Sequence, residues 1–180
     1  WAGEVVRLVG IVVHRFLHRI IGDGLAAWSP QRVEAREVAY RAHLDRLGVP
    51  EAEMARAVKM VREGLRNTLQ DAQGRWILDD TRHREPRSEY ALTGMVQGRW
   101  QHLVLDRTFI DRDGVRWIID FKTSWHAGWD KETFFANEQQ RYQAQLARYA
   151  ELMRVISDHP IRLGLYFPLH CGWRSWSWPD

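Results

Sequence analysis

The segment Trp117-Ile118-Ile119-Asp120-Phe121-Lys122 constrains this chain most, because apolar residues fall on both faces of the strand it predicts. Such a strand is covered on both sides, which puts it inside a sheet rather than on a solvated surface. An isolated carboxylate at that depth is costly, and a divalent cation would relieve the cost. Alternation along a strand sets Asp120 and Lys122 on one face. A second acid, Asp106, lies upstream, and the Asp113-Gly114 turn signal between the two acids predicts a hairpin that joins them.

Register decides whether the acids meet, since residues directly opposite in an antiparallel pair share a face. A two-residue Asp113-Gly114 turn would put Asp106 opposite Phe121, on the wrong face. A three-residue loop, Arg112 to Gly114 with Gly114 left-handed, would put it opposite Asp120. Two converging carboxylates and one amine suit metal-assisted hydrolysis. The plainer reading is a pair of solvent-facing acids with Lys122 as an ion-pair partner, and the apolar strand around Asp120 weighs against it.

The 180 residues suit one domain, residues 1–180, with a helical part over 1–74 and a sheet core over 75–180. The chain begins at Trp1, almost inside a helix, and reads as a piece of a longer polypeptide. With 26 Lys plus Arg against 23 Asp plus Glu, the net charge of +3 supports a polyanionic partner only weakly. No apolar run approaches the roughly 18 residues of a membrane span. Arg7, His14, Arg15, His18 and Arg19 interrupt the apolar stretch from Val5 to Ile21, which makes it an amphipathic helix rather than a signal peptide. The single cysteine, Cys171, excludes an internal disulfide framework and a cluster held by four cysteines of this chain, and a cytoplasmic location fits best. No G-x-x-x-x-G-K-[ST] loop occurs, so no nucleotide site is expected in these residues.

Helices are expected over Ala2 to Ile21, Pro30 to Leu47 and Glu51 to Gln70, with Ser29-Pro30 and Pro50-Glu51 as start signals. Strands are expected at Trp76 to Leu78, Glu89 to Val96, Trp100 to Ile110 and Val115 to Lys122. A long helix over residues 138–157 carries an apolar stripe, and strands at Ile161 to Phe167 and Trp173 to Trp178 close the chain. This order predicts an α/β or α+β domain built on a mixed sheet. Thr81 to Ser88 and Ser124 to Asn137 read as loops, the second carrying two tryptophans. The terminal cluster Trp173, Trp176 and Trp178 reads as a surface that docks on the rest of a larger protein.

Further residues stand out. His14 and His18 have a zinc-compatible i, i+4 spacing, but no third ligand lies nearby in sequence and a structural histidine is the simpler reading. Gln145 falls in the apolar stripe of the long helix between Tyr142 and Tyr149, where a buried amide needs partners. Glu89 opens an amphipathic strand and is a candidate third acid, although an exposed edge residue is the simpler reading.

The order G-x-x-x-H at Gly10 to His14, Asp106-Arg107, I-I-D-F-K-T-S, then Y-x-x-Q-L-x-x-Y-A at Tyr142 to Ala150 resembles the RecB-type nuclease domain of the PD-(D/E)XK superfamily, as found at the C-terminus of UvrD/Rep-like helicase-nucleases such as AddA and RecB. The resemblance runs from Gly10 to about Pro168. It implies a restriction-endonuclease-like α/β core, a central mixed sheet flanked by helices, with an N-terminal helical segment. It implies an Mg2+- or Mn2+-dependent deoxyribonuclease of exonuclease type, working with a linked ATP-dependent helicase in double-strand-break resection and recombinational repair. Asp106, Asp120, the Phe121 carbonyl and His14 would hold the metal, Lys122 would position or activate the attacking water, and Gln145 and Tyr149 would support the site and contact DNA. Glu89 would be a supporting acid without a secure counterpart. Implied partners are a single DNA strand leaving the motor, helicase domains of the same polypeptide and a second helicase-nuclease subunit, with no membrane. The segment Q-H-L-V-L before Asp106 lacks the glycine many relatives carry, and the four cluster-binding cysteines of some relatives are missing, so no iron-sulfur cluster is expected. The rival reading is a non-catalytic DNA-binding or subunit-docking module that keeps the fold; the presence of Asp106, Asp120, Lys122 and His14 together argues against it.

Overall fold

The computed structural model describes residues 2–124 and 130–179. The chain divides into two compact units, one of residues 1–79, 121–125 and 167–172, the other of residues 80–120, 126–166 and 173–180.

The first unit is helical: α1 (Ala2–Asp23), α2 (Pro30–Glu34), α3 (Glu37–Arg46), α4 (Glu51–Gln70) and α5 (Ala72–Leu78). On α1, Val5, Val9, Val12, Phe16 and Ile20 recur every three or four residues and are buried; Met54, Val58, Val61, Leu65 and Leu69 do the same on α4. These stripes make α1 and α4 the principal packed pair of the unit. Each such side chain contributes about 2 kcal/mol of apolar burial, so packing outweighs local helix propensity.

Two expectations fail in this unit. The single helix over Pro30 to Leu47 is two helices, because the buried Tyr40 hydroxyl donates to the Val33 carbonyl at 2.9 Å beside the break at Ala35–Arg36. Burial also pushes the Tyr40 phenol well above its ordinary value. Trp76 to Leu78 is not a strand. Asp71 caps α5 by accepting from the Gly74 N–H at 2.9 Å, and the short apolar run buries Ile77 and Leu78 on a helix. The helical segment therefore extends beyond 74.

The second unit holds β1 (Arg84–Val96), β2 (Arg99–Ile110), β3 (Arg116–Phe121), α6 (Lys131–Arg154), β4 (Ile161–Phe167) and β5 (Gly172–Ser177), although Phe121, Phe167 and Gly172 are counted with the helical unit. The strands form one sheet in the order β1-β2-β3-β4-β5. β1 to β3 are an antiparallel meander; β3 and β4 are neighbours joined by α6, the long crossover that parallel neighbours require, so the sheet is mixed. Every residue of β3 is buried, as its two apolar faces predict. Arg107 on β2 is fully buried, stacks over Phe109 at 5.3 Å, and donates to Ser88 Oγ at 3.2 Å and Asp80 Oδ1 at 2.5 Å.

Here too the boundaries move. The loop expected at Thr81 to Ser88 is largely strand, since β1 starts at Arg84 and Ser88 pairs with Arg107. The helix expected over 138–157 runs from Lys131 to Arg154, because Asp130 caps it by accepting from the Thr133 N–H at 3.1 Å. Residues 131–137 are thus helix, not loop, while Trp125 and Trp129 lie outside the described residues. Of the terminal tryptophans, half-buried Trp173 packs within the sheet unit: its ring covers Gly164 and lies 5.7 Å from the Trp117 ring.

Candidate active site

In the sheet unit the two acids are set by the β2–β3 hairpin. Asp111 N–H donates to the Val115 carbonyl at 3.0 Å, leaving Arg112, Asp113 and Gly114 as the loop, with Gly114 at φ 79°. Asp111 Oδ1 accepts from the Asp113 and Val115 N–H groups at 2.9 and 3.0 Å, which fixes the turn from inside. The loop is odd, and pairing proceeds through Arg107 opposite Ile119. The paired residues end there; the same register continued by one residue would set Asp106 opposite Asp120. Asp120 is 3% exposed and Asp106 is half-buried.

Gln145 reaches Asp120 from α6: its Nε2 donates to Asp120 Oδ1 at 3.3 Å and to the Tyr149 hydroxyl at 2.6 Å. Gln145 and Tyr149 are one helical turn apart, so one face of α6 presents both. The amide, half-buried rather than buried, thus has its partners, and one of them is the strand acid. By register Glu89 stands opposite Asp106, but it is exposed and its backbone has φ 49°, off the extended geometry of a regular strand.

In the helical unit the G-x-x-x-H pattern has a physical basis. A Cβ on Gly10 would overlap Thr123 Oγ1, so only glycine lets α1 approach the chain just after β3. One turn on, His14 Nε2 lies 2.7 Å from the Phe121 carbonyl oxygen and the ring meets the Phe121 ring edge-on at 5.9 Å. A carbonyl only accepts, so Nε2 carries the proton in this contact. Lys122 follows directly and is half-buried. Two further contacts belong to this unit: His170 Nε2 lies 3.1 Å from the Ser124 carbonyl on the same stretch, and Asn67 Nδ2 donates to the Pro168 carbonyl at 3.3 Å. Nothing local in the sequence marks either one. His18, by contrast, is exposed.

Among the described residues, no group of three or more His, Cys, Asp or Glu side chains is gathered as a metal centre. Mg2+ does not need one: it keeps several waters and is commonly held by one or two carboxylates together with substrate phosphates. Two carboxylates of the sheet unit are hard oxygen donors of the type such an ion takes. Among the described residues no helix is long and apolar enough to cross a membrane.

A five-stranded mixed sheet with a crossover helix and an N-terminal helix define a restriction-endonuclease-like α/β protein. The chain belongs to the PD-(D/E)XK nuclease superfamily, whose model matches residues 2–170. None of the curated proteins compared matches it.

Proposed function

We propose that residues 1–180 form a single nuclease domain that hydrolyses DNA phosphodiesters with Mg2+, or Mn2+, as its metal. The observation that carries this reading is the buried Asp120 of β3 with the Gln145 amide on its Oδ1. Asp106 and Asp120 would hold the ion; the motif order implies the Phe121 carbonyl and His14 as further ligands. When bound, the ion lowers the pKa of a coordinated water and neutralises phosphate charge. Lys122 supplies a fixed positive charge for a phosphate oxygen or orients the attacking water through its three donors. Gln145 keeps one Asp120 oxygen directed by its amide, and Tyr149 holds that amide in turn. Glu89, exposed on β1, is a supporting acid at the margin.

The motif order further supports an exonuclease linked to an ATP-dependent helicase, cutting a single strand that the motor delivers during double-strand-break resection and recombinational repair. The partners on this reading are DNA, helicase domains of the same polypeptide and a second helicase-nuclease subunit, in the cytoplasm. The test is cleavage of labelled single-stranded DNA with Mg2+ by wild type, Asp120→Ala and Lys122→Ala. Rates at least about 100-fold lower in both variants, with unchanged circular dichroism, are expected. Equal cleavage by all three would sink the assignment and favour the non-catalytic module.

A further inference from the structure

Between α1 and α3 of the helical unit lies a cavity of about 220 Å3 lined by Ile11, Val12, Arg15, His43, Arg46 and Leu47. Its charge is of one sign. Arg15 Nη1 sits 3.0 Å from His43 Nδ1, and because a guanidinium only donates, Nδ1 is the acceptor. Burial first, then the charges of Arg15, Arg46 and Arg19, hold His43 below its ordinary value of 6.5, and no carboxylate counters them. Several other arginines of this unit are balanced by acids: Arg7 by Glu4, Arg41 by Glu51, and Arg62 by Glu34 and Glu37. Arg19 reaches Asp23 at 3.8 Å. Among the described residues Arg15 and Arg46 have no carboxylate partner.

The walls add a second feature. Ile11 is 41% and Leu47 37% exposed, both large apolar side chains beside the two arginines. An anion with an apolar body attached matches that combination. A guanidinium fork fits phosphate oxygens bidentately, and aliphatic surface suits the face of a sugar or base.

We propose that this cavity binds one backbone phosphate of a nucleic-acid strand, with Arg15 and Arg46 as donors and Ile11 and Leu47 against the adjoining nucleoside. The choice of a strand as the anion rests on the nuclease reading; the positive cavity does not.

The test uses fluorescence anisotropy of labelled oligothymidylate in excess EDTA, so that no cleavage occurs, over a series of NaCl concentrations. Arg15→Gln/Arg46→Gln is expected to bind about tenfold more weakly, with the slope of log K against log salt reduced by about 0.7 per lost phosphate contact. Arg46→Glu should weaken binding at least as much, and Arg7→Gln should leave it unchanged. Wild-type affinity and slope in the double variant would overturn the proposal. In a second arm, the His43 ring resonances should move with oligothymidylate at concentrations where inorganic phosphate leaves them in place. Movement with inorganic phosphate but not with the strand would mark a free-anion site and overturn it as well. Asp120→Asn is measured alongside: strand binding that depends on Arg15 and Arg46, without any Asp120-dependent cleavage, would support the cavity while overturning the nuclease reading.

Discussion

The Gln145 side-chain amide donates to Asp120 Oδ1 at 3.3 Å, linking the face of α6 to the most deeply buried acid of the sheet. On the proposed reading Gln145 acts through Asp120. Replacing it with alanine should lower the Mg2+-dependent cleavage rate and raise the Mg2+ concentration needed for half-maximal rate, each by roughly 10-fold or more. Tyr149→Phe, which removes only the next partner in the chain, should have a smaller effect on both. A metal titration of cleavage distinguishes this from a purely structural loss, which would leave the half-maximal Mg2+ concentration unmoved.

Gly10 carries a packing demand that urea denaturation can measure. Gly10→Ala should destabilise the fold by about 1–3 kcal/mol, because the new methyl must displace Thr123. Thr123→Ala in the same chain removes the obstructing hydroxyl and should restore most of the loss. Absence of coupling between the two substitutions would show that the close approach of α1 to residue 123 is not what requires glycine.

Gly114 is required for a different reason. Its φ of 79° is left-handed, so Gly114→Ala should cost about 1–2 kcal/mol in denaturant titration, and Gly114→Asn less. The same loop fixes the register of the acid pair, so variants that lengthen or shorten it by one residue should lose cleavage out of proportion to stability.

Acid should weaken the sheet unit through Glu85. The Arg116 guanidinium, itself buried, hydrogen-bonds the Glu85 carboxylate and holds it below its ordinary value of 4.5. A carboxyl depressed on folding stabilises the folded state above its unfolded value, and that contribution is lost as pH falls below about 4.5 toward the folded value. Glu85→Gln should therefore reduce stability by about 1 kcal/mol at neutral pH, a modest figure because the carboxylate is well exposed to solvent screening. The difference from wild type should shrink as pH drops through that window, which thermal melts at pH 3 to 7 would record.

Much of this was legible along the chain. The bounds of α4 and β4 follow from Pro50-Glu51 and from an apolar run broken only by Arg162, and the two-faced burial of β3 from W-I-I-D-F-K. The three-residue loop follows from asking which register puts Asp106 and Asp120 on one face. The errors cluster where a single side chain outweighs periodicity: Asp71 starts α5 where three apolar residues looked like a strand, Asp130 starts α6 seven residues early, and the Tyr40 hydroxyl accompanies a break in an otherwise helical pattern.

For the candidate site, the sequence by itself determined which chemical groups are present and their order, because residue identity and strand alternation are local properties. It determined Asp120, Lys122 and the turn that returns Asp106. Only the tertiary structure decided that Gln145 donates to Asp120, that Gly10 exists to admit Thr123, and that His14 meets the Phe121 carbonyl. Those contacts join residues far apart in the chain, and their geometry depends on how helices pack, which no local periodicity encodes.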